Sequence, residues 1–354
     1  MTALLTSLTT RIARTGPITL AEFMTECLLH PTHGYYITRD PLGAKGDFTT
    51  APEISQLFGE LIGLWLAQVW LDQGAPAPFL LAELGPGRGT LMADVLRATQ
   101  GVPGFHHAAR LHLVELSPAL RAKQAAALPG HDITFHDHLA SLPDGPLFLL
   151  ANEFFDALPI RQFQRGKTGW HERMIGVDAG RLIWGLGPEG DFDLLIERLA
   201  DTQEGQLVEV NTPALPLADD IGRRIVTQGG AALIVDYGDA VSLGDTFQAL
   251  RNHQPVDPLT CPGAADLTAH VAFAPLAHAA APARASAPTP QGEFLERLGI
   301  TARAQALAAN LSEAALDSHI AAHRRLTHPA EMGTLFKVMS LTPPDAPLPP
   351  GLDP

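Results

Sequence analysis

The chain has 354 residues, 46% of them hydrophobic, and a formal net charge of −14 from 24 basic and 38 acidic residues. This length and composition allow a large core and more than one lobe, and the acidic balance argues against general affinity for nucleic acid and favours a basic peptide or a small molecule. The two cysteines, Cys27 and Cys261, lie far apart without a C-x-x-C pair. They indicate a reducing compartment, with neither a disulfide framework nor a thiolate metal site.

The chain begins with two predicted helices. Leu4, Leu5, Leu8 and Ile12 recur at helical spacing and predict an amphipathic helix that belongs to the fold. The same segment carries arginines but no acid before residue 22, as organellar transit peptides do, and composition leaves both interpretations open. A second short helix is expected over residues 17–29. An exposed apolar face on these helices would suit a homodimer.

A stretch without periodicity, residues 30–50, is rich in glycine, proline and threonine. Loops of this length are often lids or binding loops, and a plain surface connection is the alternative. Residues 57–71 then form the most apolar helix candidate. They are too few to cross a bilayer and include Glu60 and Gln68, so they predict a core helix and no membrane span.

Three glycines, Gly85, Gly87 and Gly89, follow the apolar run 79–84. They predict a buried strand that ends in a tight turn, where a ligand can lie against the peptide planes and the N–H groups of a following helix. The lysine of a P-loop is missing, and the G-x-G-x-G spacing is one residue shorter than the dinucleotide fingerprint. With Glu83 two residues ahead, the turn resembles the first motif of Rossmann-like methyltransferases that use S-adenosylmethionine. A purely structural turn is the alternative.

Glu115 ends the next apolar run, residues 111–114. A carboxylate at the carboxyl end of the second parallel strand can accept both ribose hydroxyls of a nucleoside. The alternative is an acid at the start of the helix expected over residues 117–127. The order of strand, glycine turn, helix, strand and acid favours ribose binding.

Two more strands are predicted at residues 133–136 and 146–151. Alternating strands and helices indicate an α/β fold with a parallel sheet, in which ligands bind at the carboxyl ends of the strands. Asp137 follows the first of these strands and is a candidate partner for the amino group of adenine. A turn-capping aspartate is the alternative.

A polar cluster after the second of these strands is the candidate acceptor site. Methyl transfer depends on alignment of a lone pair, and a carboxylate can orient a guanidinium or an amine through charge-assisted hydrogen bonds. Glu153 is the first candidate for this role and Asp156 the second, with Asn152 beside them. Helix capping by Asn152 and Asp156 is the alternative.

The remaining patterns divide the chain into segments. Short alternating runs separated by glycines after residue 160 predict an antiparallel lobe, and an Ala- and Pro-rich stretch over 274–290 predicts local flexibility. Helices are expected over 292–298 and 302–323, and a last strand over 336–341. The predicted segments are N-terminal helices with a cofactor-covering loop (1–75), a cofactor-binding half of the core (76–160), an antiparallel insertion (161–210), a second half of the core (211–345) with a helical insertion (251–330), and a Pro-rich tail (346–354).

Two other chemistries are not indicated. Fifteen histidines invite a metal hypothesis, chiefly at His131, His136 and His138, but no H-x-x-x-H or H-E-x-x-H pair and no nearby cysteine supports it. No metal is therefore expected. Without a G-x-S-x-G elbow, the sequence also gives no sign of Ser-His-Asp hydrolysis.

Several motifs together resemble those of the MidA family, the class I methyltransferases related to the mitochondrial complex I assembly factor that methylates arginine. The resemblance extends over nearly the whole chain, and its most specific parts are the runs 46–55 and 152–159. The matching runs are GDFTTAPEIS (46–55), ELGPGRGTL (83–91), VELSP (114–118), NEFFDALP (152–159), DYG (236–238), DLTAHVAF (266–273), QGEFL (291–295) and MGTLFK (332–337).

The resemblance implies a fold, a cofactor and roles for particular residues. It implies a Rossmann-like class I core with a seven-stranded, mostly parallel sheet, an N-terminal helical segment and an inserted lobe. It implies S-adenosylmethionine as methyl donor, with Glu83 and the three glycines at its methionine end, Glu115 at the ribose and Asp137 at the adenine. The loop residues implied to wall the cofactor pocket are Gly46, Asp47 and Thr49.

The expected function is therefore S-adenosylmethionine-dependent methylation of an arginine in a protein with a basic segment, such as a respiratory complex I subunit. Glu153 would orient the acceptor. The expected location is the cytoplasm of a bacterium or the mitochondrial matrix of a eukaryote. The alternatives are an assembly chaperone with little or no catalysis and a methyltransferase acting on nitrogen or oxygen of a small molecule.

Overall fold

The computed structural model of the chain describes residues 2–38 and 49–354. The α-helices of these residues are α1 (Ala3–Thr15), α2 (Leu20–Leu29), α3 (Tyr35–Thr38), α4 (Ala51–Ile54), α5 (Gln56–Asp72), α6 (Thr90–Ala98), α7 (Phe105–Ala108), α8 (Pro118–Ala127), α9 (Ala214–Gln228), α10 (Phe273–Ala279), α11 (Gln291–Arg297), α12 (Ile300–Ala308) and α13 (Glu313–Thr327).

The strands of the same residues are β1 (Ile18–Thr19), β2 (Phe79–Leu84), β3 (Ala109–Val114), β4 (Ile133–His136), β5 (Leu147–Asn152), β6 (Arg161–Arg165), β7 (Trp170–Asp178), β8 (Arg181–Gly190), β9 (Leu207–Val210), β10 (Gly230–Asp239), β11 (Gln248–Arg251), β12 (Gln254–Val256), β13 (Asp266–Thr268), β14 (Val271–Ala272), β15 (Arg284–Ala285), β16 (Thr289–Pro290) and β17 (Phe336–Thr342).

The chain forms two units. Of the described residues, the first unit contains 2–38, 156–214 and 241–272, and the second unit contains 49–155, 215–240 and 273–354. The division differs from the predicted segments, because the N-terminal helices belong with the antiparallel strands of the first unit.

A mixed sheet is the centre of the second unit. Strands β4, β3, β2, β5 and β10 lie side by side and parallel, and β17 pairs antiparallel with β10. The short strand β15 follows β17 at the edge of the sheet. All residues of β2 are buried, which is why its sequence is a continuous apolar run and not an alternating one. The α/β fold with parallel central strands is as predicted.

Helices α5 and α6 pack closely beside this sheet. Gly63 of α5 faces α6, and a Cβ at this position would lie 2.9 Å from the Cα of Val95. The rings of Phe79 and Phe148, on β2 and β5, have centroids 5.1 Å apart, and Trp70 of α5 packs edge-on against Phe105 at 5.3 Å. This packing fixes α6, and with it the turn that connects β2 to α6.

The first unit contains two antiparallel sheets and the N-terminal helices. One sheet joins β1, β6, β7, β8 and β9, and the other has the order β12, β11, β13. Helix α1 buries Leu4, Leu8 and Ile12, three of the four residues whose spacing predicted an amphipathic helix, and Leu5 is partly buried. Strands β6 to β9 have the antiparallel pairing that the alternating runs predicted.

The segment predicted as a helical insertion over 251–330 begins instead with strands. Strands β11 and β12 form a hairpin whose turn residues, Asn252 and His253, both have positive φ, at +52° and +58°. Such turns usually contain glycine, so this hairpin has a weak sequence signal. The single helix expected over 302–323 is wrong as well, because the chain is divided into α12 and α13, and Ser312 has extended backbone angles before α13.

The Ala- and Pro-rich stretch 274–290, predicted to be flexible, instead forms regular elements, α10, β15 and β16, and buries two of its alanines, Ala280 and Ala283. A Cβ at Gly222 of α9 would lie 2.1 Å from the carbonyl oxygen of Ala280. The small side chains therefore reflect a close contact between backbones.

Candidate active site

The glycine turn after β2 has the strained backbone that its sequence predicted. The φ angles of Gly85, Gly87 and Gly89 are +59°, +55° and +84°, in the region that favours glycine. A Cβ at Gly85 would lie 3.0 Å from the ring of Phe154. Gly89 precedes α6 and supplies no side-chain cap, so the first N–H groups of α6 are available to a ligand.

Glu83 is a buried acid next to this turn. Only 3% of its surface is exposed, and its Oε2 atom has no hydrogen-bond partner within residues 2–38 and 49–354. Burial raises the pKa of the Glu83 carboxyl to about 8. A buried carboxyl oxygen without a donor is costly, and a ligand cation that reaches it would remove the cost.

Glu115, at the end of β3, has both carboxylate oxygens oriented by neighbours. Its Oε1 accepts a hydrogen bond from the N–H of Ser117 at 2.8 Å, and its Oε2 accepts one from Nε2 of Gln124 at 3.2 Å. Burial raises the pKa of Glu115, and the hydrogen bond from Ser117 opposes this rise most. Gln124 was not predicted as a site residue.

Asp137, the predicted adenine partner, is mostly exposed, with 66% of its side-chain surface accessible. Its Oδ1 accepts a hydrogen bond from Arg121 at 2.6 Å. The same guanidinium donates to the carbonyl oxygens of Glu115 and, at 3.1 Å, of His136. Arg121 of α8 therefore ties the ends of β3 and β4 together.

Asn152 and Glu153 lie together at the carboxyl end of β5. Glu153 has a φ of +50°, which is uncommon for a residue with a side chain. Its Oε1 accepts hydrogen bonds from the N–H of Ala51 at 3.0 Å and from Nδ2 of Asn152 at 3.2 Å. Within the described part of the chain, the buried Oδ1 of Asn152 has no partner. The two residues thus form one hydrogen-bonded pair.

Two acids that were not among the predicted site residues shape the surroundings. Asp236, fully buried on β10, accepts hydrogen bonds from the N–H groups of Phe155 and Tyr237, both at 3.0 Å. Glu53 of α4 accepts one from the hydroxyl of Thr90 at the start of α6. The contacts of Asp236 with Phe155 and of Glu53 with Thr90 join residues far apart in the sequence, so no local motif indicates these two contacts.

The other predicted residues lie elsewhere. Thr49 precedes α4 in the second unit, while Gly46 and Asp47 lie outside the described residues. Asp156 is buried in the first unit, where its carbonyl oxygen accepts a hydrogen bond from the N–H of Ala269 at 3.0 Å. The second unit therefore brings together Glu83, the three glycines, Glu115, Asn152 and Glu153 at or just after the ends of its parallel strands.

Comparison with known proteins identifies the family. A family model described as "Putative S-adenosyl-L-methionine-dependent methyltransferase" matches residues 61–290. The mitochondrial protein arginine methyltransferase NDUFAF7 of Homo sapiens is 37% identical over 372 residues, which cover 97% of this chain and 84% of that protein. The Xenopus tropicalis protein of the same name is 38% identical over 371 residues, with 96% and 86% covered. The chain belongs to the MidA family of S-adenosylmethionine-dependent methyltransferases.

A solved structure supports the cofactor of this family. A protein from Burkholderia thailandensis, bound to S-adenosyl-homocysteine, superposes with a TM-score of 0.82 at 29% identity, over 96% of this chain and 92% of that one. S-adenosylmethionine is therefore the cofactor of this methyltransferase.

The residues of the methyltransferase fit this cofactor. The unpartnered Oε2 of Glu83 suits the ammonium group of the methionine end, and the bare backbone at Gly85 leaves space where a Cβ would collide with Phe154. Glu115 presents a carboxylate of fixed orientation, as ribose hydroxyls require.

The described residues contain neither a metal-binding group of side chains nor a membrane-spanning helix. Among residues 2–38 and 49–354, no group of three or more His, Cys, Asp or Glu side chains is arranged to hold a metal ion. None of the helices in these ranges has the length and apolarity needed to cross a membrane. His136, one of the histidines that invited a metal hypothesis, has both ring nitrogens hydrogen-bonded. Its Nε2 lies 2.9 Å from Nδ1 of His112, and its Nδ1 lies 2.9 Å from the hydroxyl oxygen of Ser141.

Proposed function

We propose that this methyltransferase transfers a methyl group from S-adenosylmethionine to an arginine side chain of a protein. The observation that carries the proposal is Glu153, a carboxylate held at the end of β5 with a φ of +50°. Hydrogen bonds from Ala51 and Asn152 fix the Oε1 of Glu153. The named activity of the NDUFAF7 relatives, protein arginine methylation, supports arginine as acceptor.

Methyl transfer depends more on the alignment of the acceptor nitrogen with the methyl carbon than on proton transfer. The bound cofactor supplies an electrophilic methyl group on a sulfonium. The guanidinium nitrogen that gains the methyl group must give up one proton as the carbon–sulfur bond breaks, and a carboxylate that pairs with the guanidinium can hold the plane of the group and take that proton. Glu153 has this role in the proposal, with Asn152 keeping the carboxylate in place. Asp156 of the first unit remains a second candidate for contact with the acceptor.

We assign the donor site by residue type. Glu83 and the glycines Gly85, Gly87 and Gly89 would hold the methionine end, and Glu115 the ribose. Asp137, with Arg121 as its ion-pair partner, is the proposed neighbour of the adenine. The proposed wall of the pocket is the segment that contains Gly46, Asp47 and Thr49.

The proposal also includes the strand number of the core, the kind of substrate and the location of the protein. In the nine-stranded sheet of the second unit, the main path β4, β3, β2, β5, β10, β17, β15 supports a seven-stranded class I methyltransferase core, to which β14 and β16 add short pairings. Residues 161–210 would be an inserted lobe. The net charge of −14 supports a substrate with a basic segment, such as a respiratory complex I subunit. A homodimer, and a location in bacterial cytoplasm or in the mitochondrial matrix of a eukaryote, also belong to the proposal.

The test is a methyl-transfer assay with labelled S-adenosylmethionine on lysate from a strain that lacks the protein, followed by mass spectrometry of the labelled residue. We expect dimethylated or monomethylated arginine. Glu153→Gln should reduce transfer by about 10- to 150-fold while the affinity for S-adenosyl-homocysteine stays within about twofold, since the loss of a charged hydrogen-bond partner is worth about 1.5–3 kcal/mol. Glu197→Gln, at an exposed acid of the first unit, is the matched control.

Other results would lead to other functions. Label in a small molecule would replace arginine by a metabolite, and binding of a subunit without transfer would favour an assembly chaperone. Unchanged transfer by Glu153→Gln would remove Glu153 from the acceptor site.

A further inference from the structure

The side chain of Gln124 connects two parts of the cofactor site that are far apart in sequence. Gln124 lies on α8, and none of its surface is exposed. Its Nε2 donates to the carbonyl oxygen of Gly87 at 2.8 Å and to Oε2 of Glu115 at 3.2 Å. One amide group therefore contacts both the glycine turn and the acid at the end of β3.

The chemistry of these contacts fixes the orientation of the amide. The Gly87 carbonyl and the Glu115 carboxylate can only accept hydrogen bonds, so both N–H bonds of Gln124 must point at them. The opposite atom, Oε1, is buried and has no partner in the described ranges. The second amide orientation would place Oε1 against two acceptors, which is repulsive.

Close packing holds Gln124 in this position. A Cβ added at Gly89 would lie 3.3 Å from the Cα of Gln124, so α8 passes directly beside the turn. On the other side, the N–H of Ser117 holds the second oxygen of Glu115 at 2.8 Å. The carboxylate is thus held between the start of α8 and a side chain two turns further along the same helix.

We propose that Gln124 is a positioning residue for the methyl donor, because it sets the orientation of Glu115 and the shape of the turn at Gly87 together. The inference rests on the proposed roles of Glu115 and the glycine turn. It follows that the ribose end and the methionine end of the site are coupled through one amide. Loss of its N–H groups should weaken the binding of both ends.

The test compares Gln124→Leu and Gln124→Glu with the wild-type protein by titration calorimetry with S-adenosyl-homocysteine from pH 5.5 to pH 8. We expect Gln124→Leu to bind about 30-fold more weakly at every pH, as loss of a hydrogen bond to a charged group predicts. Gln124→Glu should bind as weakly at pH 8, where two carboxylates would face each other. At pH 5.5 a protonated glutamic acid can donate again, so Gln124→Glu should recover by about tenfold relative to wild type.

Control measurements distinguish a failure of the role proposed for Gln124 from a failure of the donor-site assignment on which it rests. Gln100→Glu adds the same charge at an exposed position and should leave binding unchanged. Wild-type protein that fails to bind S-adenosyl-homocysteine would overturn the donor-site assignment itself. Wild-type binding with Gln124→Leu within twofold of it would overturn the inference alone. Equal loss by both variants at every pH would reduce Gln124 to a space-filling residue, and Gln124→Glu keeps the test valid if the leucine variant does not fold.

Discussion

Two buried glutamates, one in each unit, have nearly equal exposure but opposite hydrogen bonding. Glu209 of β9, in the first unit, is 5% exposed, and Glu83 of β2, in the second unit, is 3% exposed. Glu209 accepts hydrogen bonds from Nε2 of Gln162 at 2.7 Å, from the N–H groups of Thr246 and Phe247 at 3.0 Å and 3.2 Å, and from the hydroxyl of Thr246. Its carboxylate organises the chain around it.

Glu83 has no comparable set of donors. Burial raises the pKa of both acids, but hydrogen bonds from Thr246 and Gln162 oppose the rise at Glu209, whereas nothing opposes it at Glu83. Burial alone therefore does not distinguish an acid that stabilises a fold from an acid that binds a ligand. The unmet hydrogen-bonding capacity of Glu83 supports the ligand role proposed for it.

The largest expected effect is on donor binding by Glu83→Gln. Replacing the carboxylate removes the negative charge that would pair with an ammonium group, so the affinity for S-adenosyl-homocysteine should fall about 100-fold, or about 2.7 kcal/mol. The melting temperature of the free protein should not fall, because burial already keeps the Glu83 carboxyl neutral below about pH 8 and the amide is neutral as well. Calorimetry and thermal denaturation give both values. A large loss of stability without loss of affinity would reverse the roles assigned to the two glutamates.

The reciprocal variant, Glu209→Gln, should act on stability. The NH2 group of the new glutamine would face hydrogen-bond donors and could not pair with them. We therefore expect the free energy of unfolding to fall by about 2 kcal/mol, as for a buried group left unsatisfied. The affinity of the folded protein for S-adenosyl-homocysteine should stay within about twofold. Urea denaturation measures the first quantity, and titration at low temperature measures the second. Weakened binding with unchanged stability would contradict the comparison.

A change of pH should alter the affinity for S-adenosyl-homocysteine less than the two substitutions above alter affinity and stability. Because burial raises the pKa of Glu83 from the ordinary 4.5 to about 8, the free carboxyl is protonated below that value. The contribution of the protonated Glu83 carboxyl to the free energy of unfolding is fully present below about pH 4.5 and is lost as pH rises through 8. A ligand ammonium needs the ionised form, so affinity should rise with pH, by about tenfold between pH 6.5 and 7.5, and level off above 8.

The matching control is Glu83→Gln, whose affinity should vary much less over this range. Calorimetry in buffers of different ionisation heat should also detect about one proton released on binding near pH 7. No released proton in the wild-type protein would show that Glu83 is ionised before the ligand arrives.

The sequence predicted the local features of the proposed donor site but not the contacts between them. Glu83, Glu115 and the glycine turn lie at the ends of strands whose apolar runs are unambiguous, and topology brings such ends to one edge of a sheet. Gln124 was missed because its role depends on which face of α8 meets the turn, and the pattern of that helix does not specify this. The ion pair of Asp137 with Arg121 depends in the same way on side chains from different elements.

The errors in fold prediction also have physical causes. The hairpin of β11 and β12 turns on Asn252 and His253 without the glycine that usually marks such turns. Alanine-rich sequence over 274–290 indicated flexibility, whereas small side chains also permit close backbone contact, as at Gly222 and Ala280. Composition cannot separate these two uses of alanine.

Asp236 has an evolutionary consequence. Its buried carboxylate on β10 receives the N–H of Phe155, which belongs to the segment that carries Asn152 and Glu153. A lineage that reshapes this segment for another acceptor and moves the N–H of Phe155 takes one hydrogen-bond donor from the buried Asp236, which costs about 1.5–3 kcal/mol. A second substitution on β10 that removes the charge of Asp236 would offset this cost.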